Sequence, residues 1–220
     1  MNLEDFIKKS NSIDILRKVN NTFNNRKFHE FTHILYDIRT LLGEQQKTYL
    51  EIGSYVGSSA SLILQHKFPT KIICIDPLVL PPKHFNGSKS QELTLKENIN
   101  KNNINSYEVI IHKNYSNDKL LLEKLKNIKV DILFIDGDHR YISVIEDWNN
   151  YKDLVVSGGY IVFDDYLDKK YSPQVKTAVD DIVSKIDKNK YEIIGSLPNY
   201  QNAYAKNIKE FSNEFIIKKL

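Results

Sequence analysis

The sequence predicts an α/β fold: a mostly parallel sheet of about seven strands, an antiparallel last strand, helices on both faces and a helical extension at the N-terminus. From Thr48 onward, short apolar runs alternate with amphipathic stretches, the order that produces a parallel sheet wrapped by helices. The strand cores Tyr49-Leu50-Glu51-Ile52, Ile72-Ile73-Cys74-Ile75, Ile132-Leu133-Phe134-Ile135 and Tyr160-Ile161-Val162-Phe163 are nearly continuous in apolar residues, as strands buried on both faces require. With 220 residues and 41% hydrophobic content, the chain can build one such core. A single domain is expected, with helices over 1–45, the α/β core over 46–206 and a tail over 207–220.

Residues 3–22 and 28–42 read as helices, the second carrying Phe28, Phe31, Leu35, Ile38 and Leu42 on one side and ending at Gly43. Strands are expected at Thr48–Ile52, Lys71–Asp76, Tyr107–His112, Val130–Asp136 and Gly159–Asp164. Helical patterns lie between or after them at 58–67, 88–102, 116–127, 139–155 and 174–187. Leu197-Pro198-Asn199 separates a closing pair, Tyr191–Gly195 and Asn202–Lys206, and can turn the chain into an antiparallel edge. In the helix at 139–155, Tyr141, Val144, Ile145, Trp148 and Tyr151 fall on one side and read as a core face. The Pro-rich loop 77–90 is long enough to be a lid and equally suits a plain surface loop.

Composition narrows the partners. The 31 basic and 28 acidic residues are spread along the chain and leave a formal charge of +3 without a polybasic stripe, so nucleic acid is not expected. No stretch reaches the ~20 apolar residues of a membrane span. The first ten residues carry Glu4 and Asp5 and no apolar leader, so a cytoplasmic protein is expected. Cys74 is the only cysteine, which excludes an internal disulfide and suits a buried thiol in a reducing compartment.

The segment Glu51-Ile52-Gly53-Ser54-Tyr55-Val56-Gly57-Ser58 runs from a strand through a glycine turn into a helix, the place where α/β sheets bind cofactors. It is not a dinucleotide fingerprint, because Tyr55 stands where a pyrophosphate needs close backbone approach. The pattern suits a cofactor with an amino-acid tail and no phosphate: Glu51 can meet an ammonium group, and the amides opening the Ser58 helix can meet a carboxylate. Asp76 closes the next strand, where its carboxylate can accept hydrogen bonds from a ribose diol. Asn114, Tyr115 and Ser116 follow the third strand where an adenine would rest, although Ser116 equally suits a helix cap.

Asp136 and Asp138 end one expected strand, and Asp164 and Asp165 end another. If those strands are neighbours, four carboxylates converge, an arrangement that is costly unless a cation or protons intervene. Oxygen ligands alone favour Mg²⁺ or another hard divalent ion. His139 can serve as an alternative base or substrate-binding group, or face solvent at the start of its helix.

These motifs, with Phe134-Ile135-Asp136-Gly137-Asp138-His139-Arg140-Tyr141 and Ser157-Gly158-Gly159-Tyr160-Ile161-Val162-Phe163-Asp164-Asp165-Tyr166, resemble the class I S-adenosylmethionine-dependent methyltransferases with a Rossmann-like fold. Within that class, the run from about Tyr49 to Tyr166 is similar to the macrocin and aminocoumarin sugar O-methyltransferases. The resemblance implies S-adenosylmethionine held by Glu51, Gly53, Ser54, Tyr55, Gly57, Ser58, Asp76, Ser116 and Asp136. It further implies Mg²⁺ or Mn²⁺ on Asp136, Asp164 and Asp165, with Asp138 as general base and His139 as its alternate. The acceptor it implies is a hydroxyl of a small molecule, a sugar, nucleotide sugar or glycan; homo-oligomerisation stays open. Catechol-type enzymes typically carry Asp-Asn where Asp164-Asp165 stands, which disfavours a phenol, and the N-P-P-Y motif of amino-methylating nucleic-acid enzymes is absent.

Two rival readings remain. His29-Glu30-Phe31-Thr32-His33 matches H-E-x-x-H, which on a helix can hold zinc with Glu30 as base, but no third ligand is evident downstream. A non-catalytic S-adenosylmethionine-binding subunit would use the same fold and leave the four carboxylates without a purpose.

Overall fold

The computed structural model describes residues 2–23, 32–81, 89–197 and 213–220. An N-terminal group, α1 (Leu3–Ile7), α2 (Ser12–Asn20) and α3 (His33–Leu41), precedes an alternating core. That core runs β1 (Lys47–Ile52), α4 (Ser58–Leu64), β2 (Thr70–Ile75), α5 (Gln91–Asn102), β3 (Val109–His112), α6 (Lys119–Leu125), β4 (Val130–Ile135) and α7 (Tyr141–Tyr151). It closes with β5 (Val155–Phe163), α8 (Pro173–Lys185), β6 (Tyr191–Gly195) and β7 (Phe215–Lys219). The strands form one sheet of order β3-β2-β1-β4-β5-β7-β6, parallel except for β7, which is antiparallel to both β5 and β6. The expected α/β architecture is therefore present. No helix among the described residues is long and apolar enough to cross a membrane.

Side-chain alternation along the strands divides the core into two layers. Leu50 and Ile52 face α6, α7 and α8, where Val144, Trp148 and Tyr151 form the expected apolar side of α7. Tyr49, Ile72 and the free thiol of Cys74 face α1, α3, α4 and α5 on the opposite side.

Several boundaries differ from expectation, and three of the differences change how elements are divided or paired. The first helix is split into α1 and α2, because the Ser10 hydroxyl accepts from the Ser12 amide at 3.1 Å and donates to Asp37, turning the chain out of helical geometry. β5 begins at Val155 rather than Gly159, and its register against β4 shifts between Val130 and Ile132. The antiparallel partner of β6 is Phe215–Lys219, read above as tail, while Asn202–Lys206 lies outside the described residues. The nearest apolar run after Pro198 looked like a hairpin partner, yet the sheet takes the later run Phe215-Ile216-Ile217, whose alternate side chains fill both layers.

His29 and Glu30 of the H-E-x-x-H match also lie outside the described residues. His33 is buried, with Nδ1 2.9 Å from the Ser12 hydroxyl and 3.3 Å from Asp37, in a network that joins α2 to α3. That environment gives the histidine a structural job and leaves no room at Nδ1 for a metal.

Arg39 is a second polar clamp. Fully buried, it donates to the Thr70 hydroxyl at 2.7 Å and to the carbonyls of Gly43, Gln45 and Pro69 at 2.8, 3.0 and 2.9 Å, tying the end of α3 to the starts of β1 and β2. Arg39→Met keeps bulk but strands those acceptors, each worth about 1–3 kcal/mol when buried and unpaired. Denaturant unfolding should register a loss of at least about 3 kcal/mol; an unchanged midpoint would contradict the clamp. His66 makes a pH-dependent contribution. Its Nδ1 accepts from the Phe68 amide at 3.0 Å, and burial, followed by the charges of Arg39 and Lys67, depresses its pKa from 6.5 to about 4. Between these values the unfolded chain binds the proton that the folded chain refuses, so this contribution falls as pH drops from 6.5 toward 4. His66→Gln should flatten the stability profile relative to wild type in that window alone.

Candidate active site

Strand register brings the site together. Ile52 lies opposite Ile75 on one side and Ile135 on the other, and Ile135 lies opposite Phe163. The next residues of the four strands, Gly53, Asp76, Asp136 and Asp164, therefore emerge at one level along the carboxyl edge. Backbone bonds extend the ladder by one step: the amides of Gly53, Asp136 and Asp164 donate to the carbonyls of Ile75, Ile52 and Ile135 at 2.8, 2.9 and 3.0 Å. The chain reverses sheet direction between β1 and β4, the position at which α/β sheets open a crevice. A cleft of about 920 Å³ lies there.

One half of the cleft is built by the loops after β1, β2 and β3. Gly53 has φ +89°, and a Cβ on it would stand 1.9 Å from the Asp136 carbonyl oxygen. Tyr55 is held at φ +48°, with its amide donating to Asp76 Oδ2 at 2.7 Å. The other oxygen of Asp76 accepts from the Leu78 amide at 2.7 Å and from Gln91 Nε2 at 3.2 Å. Burial nonetheless pushes the Asp76 carboxyl up to about 6. Gln91 also donates to the Tyr55 carbonyl and accepts from the Leu80 amide, so one buried amide side chain fastens two loops. Asn114, Tyr115 and Ser116 line the same half. Ser116 does not cap α6; Asp118 does, accepting from the Leu120 and Leu121 amides.

Glu51, Ser54, Gly57 and Ser58 stand behind this wall and do not line it. Alternation sends Glu51 toward the α4 layer, where it is 0% exposed and accepts from the Tyr49 and Ser59 hydroxyls at 2.9 and 2.6 Å. Its Oε1 closes no hydrogen bond, and burial raises its pKa. Ser54 is 2% exposed, with its hydroxyl beside the Glu51 carboxylate. Gly57, at φ +86°, supports the loop by packing: a Cβ there would meet Leu95 Cδ1 at 2.7 Å. Ser58 is the first residue of α4.

The other half contains the acidic cluster. Asp138, expected as base, is paired with the Arg140 guanidinium, with Nε 2.6 Å away, and accepts from the Ser143 hydroxyl at 3.0 Å. Arg140 holds its pKa below the usual carboxylate range. Asp164 turns back on its neighbour, accepting the Asp165 amide at 2.8 Å. Among the described residues, Asp136, His139 and Asp165 each offer an atom within 4.8 Å of the others, and Asp164 lines the same cleft. His139 Nε2 lies 3.5 Å from Asp136 and 3.6 Å from Asp165. Burial, followed by the charge of Asp164, raises the Asp136 pKa well above its usual value, while the adjacent carboxylates lift His139 to about 9. Asp165 adopts φ +58°, so Tyr55 and Asp165 carry backbone strain on opposite sides of one cleft.

The chain matches a methyltransferase domain over residues 50–166, more than half its length. The chain belongs to the methyltransferase-domain family. It is an S-adenosylmethionine-dependent methyltransferase of class I, with the fold and motifs already described. An uncharacterized protein of Acanthamoeba polyphaga mimivirus is 42% identical over 203 residues, covering 88% of each chain. Among solved structures, the O-methyltransferase NovP has a TM-score of 0.60 at 18% identity, covering 97% of this chain and 96% of that one. An O-methyltransferase from Bacillus cereus, solved with S-adenosylhomocysteine, has a TM-score of 0.60 at 14% identity, covering 95% and 90%. TomG from Streptomyces achromogenes, solved with S-adenosylmethionine, has a TM-score of 0.57 at 12% identity, covering 96% and 90%. At these identities the likeness establishes the methyltransferase's fold.

Sequence reasoning missed Gln91 and Ser172. Gln91 begins α5 and Ser172 precedes Pro173, so both read as ordinary helix-start residues; only the packed loops reveal their side-chain partners. In this methyltransferase the Gly53 contact permits a direct test. Gly53→Ala adds a Cβ that backbone atoms of Asp136 and Gly137 already exclude, so the β1–β4 junction must open. The variant is expected to lose S-adenosylhomocysteine binding in calorimetry, while Gly43→Ala, where a Cβ meets nothing within 4 Å, should bind normally.

Proposed function

We propose that this methyltransferase transfers a methyl group from S-adenosylmethionine to a hydroxyl of a small molecule, a sugar or nucleotide sugar, with assistance from a divalent metal. One observation supports the reading: the hydrogen-bonded Asp76 carboxylate and the group of Asp136, His139 and Asp165 border one cleft, joined where Gly53 meets Asp136.

In this reading Asp76 accepts the ribose hydroxyls, its carboxylate already aligned by three donors, and Asn114 to Ser116 border the adenine. The Oε1 of Glu51, which closes no hydrogen bond, and the buried Ser54 beside it fit a role behind the loop, reached by the amino-acid tail through water. Asp136 and Asp165 would hold the metal, whose chemistry is to make a bound hydroxyl more acidic. Asp138 remains a proton acceptor at the rim. Its pairing with Arg140 makes it a weak base, which is adequate only for a hydroxyl acidified in that way. The chain's residues also orient the acceptor oxygen toward the sulfonium methyl, where correct placement itself lowers the barrier.

The test combines purified protein, S-adenosylmethionine and a panel of sugars, nucleotide sugars and phenols, read by mass spectrometry. Methylated sugar is expected, with turnover lost in excess chelator and restored by Mg²⁺ or Mn²⁺. Methylation confined to phenols, or full turnover in chelator, would overturn the acceptor or the metal part respectively. Asp76→Ala should weaken S-adenosylhomocysteine binding roughly tenfold or more, from the loss of charge-assisted acceptors. Asp138→Asn should leave that affinity unchanged while lowering kcat. Equal affinity in Asp76→Ala would remove Asp76 from the ribose site.

A further inference from the structure

Ser172 occupies the N-cap of α8, followed by Pro173 at the first helical position. A serine there ordinarily bonds a backbone amide of its own helix. In this chain it makes no such cap. The hydroxyl, in a residue only 1% exposed, reaches instead behind two residues that line the cleft, 2.8 Å from Asp165 Oδ2 and 2.8 Å from His139 Nδ1.

A hydroxyl has one proton. An ionised Asp165 can only accept, so Ser172 donates to Asp165, and the bond to His139 must run the other way, from Nδ1–H to the serine oxygen. Without a metal, Nε2 carries a proton toward Asp136 and Asp165, at 3.5 and 3.6 Å; a metal ion would displace that proton, while the bond to Ser172 keeps the other proton on Nδ1 and aims the freed Nε2 lone pair at the same two carboxylates. An imidazole so anchored through its far nitrogen is the arrangement found around metal-bound histidines.

We propose that His139 Nε2 completes a nitrogen and oxygen metal site with Asp136 and Asp165, that Ser172 is the positioning residue for this ligand, and that the site consequently prefers a first-row transition ion to Mg²⁺. This rests on the metal-assisted reading above and changes its ligand set: the imidazole takes the place expected for Asp164, whose carboxylate is turned onto the Asp165 amide. Imidazole adds affinity for transition ions, whereas Mg²⁺ prefers oxygen and retained water.

Metal-free protein is titrated with Co²⁺ alone and with Mg²⁺ alone by calorimetry, and the Co²⁺ form is examined by proton NMR. Co²⁺ should bind at least about tenfold tighter than Mg²⁺. The Co²⁺ form should show a strongly shifted exchangeable imidazole proton from Nδ1–H. His139→Gln should abolish that signal and lower Co²⁺ affinity by about 100-fold or more while changing Mg²⁺ binding far less. Ser172→Ala should lower Co²⁺ affinity about tenfold and speed exchange of the shifted proton, and Ser172→Thr, which keeps the hydroxyl, should restore both. A serine that merely supports α8 would alter the melting temperature and leave ion preference unchanged. Binding lost in Asp165→Asn but indifferent to His139→Gln and Ser172→Ala overturns this ligand set and leaves metal assistance standing. Wild-type protein that binds neither ion overturns both.

Discussion

The carbonyl oxygen of Asp136 occupies the space where a side chain at residue 53 would begin, 1.9 Å from an ideal Cβ, and the rest of the cleft follows from that contact. With glycine at this point and a φ of +89°, β1 can stay paired with both β2 and β4 to their last residues and then turn sharply away. The same closeness sets the distance between the loop after β1 and the acidic segment after β4. A bulkier residue would separate the two halves of the cleft by the thickness of the displaced backbone.

Around that junction the structure manages an unusual density of negative charge. Asp76, Asp136, Asp138, Glu146, Asp164 and Asp165 all border one cleft. Each carboxylate described has a local answer: amide donors at Asp76, a guanidinium at Asp138, the Asn117 side-chain amide at Glu146, a neighbouring amide at Asp164, a serine hydroxyl at Asp165 and the His139 imidazole between Asp136 and Asp165. A cofactor bearing a sulfonium cation suits such a field.

Much of this fold was legible in the chain because buried parallel strands leave continuous apolar runs. Ile132 to Ile135 and Tyr160 to Phe163 could hardly be anything else, and once they are neighbours the carboxylates that follow must lie side by side. The direction of side chains was harder to read. Glu51 and Ile52 are adjacent in sequence, yet the pleat sends one under α4 and the other to the cleft, so Glu51 lies behind the loop and not on the cleft wall. Asp138 and Asp164 were visible as acids but not as acids already engaged, since their partners, Arg140 and the Asp165 amide, depend on local turn geometry. Ser172 and β7 depend on contacts across long stretches of chain: Ser172 reaches His139, and Phe215–Lys219 inserts between β5 and β6. Neither relation has a local periodic signal.

If S-adenosylmethionine and a metal ion occupy the one cleft that Asp76, Asp136 and Asp165 border, the methyl donor and the metal lie close together, and their separation is the most direct measurement to make. Protein loaded with Mn²⁺ and S-adenosylmethionine labelled with carbon-13 at the methyl group can be examined by electron–nuclear double resonance. A resolved coupling between the manganese spin and the methyl carbon is the result expected of a shared cleft. Full occupancy by both, with no detectable coupling, would mean that the donor and the metal occupy separate sites, and would contradict the account.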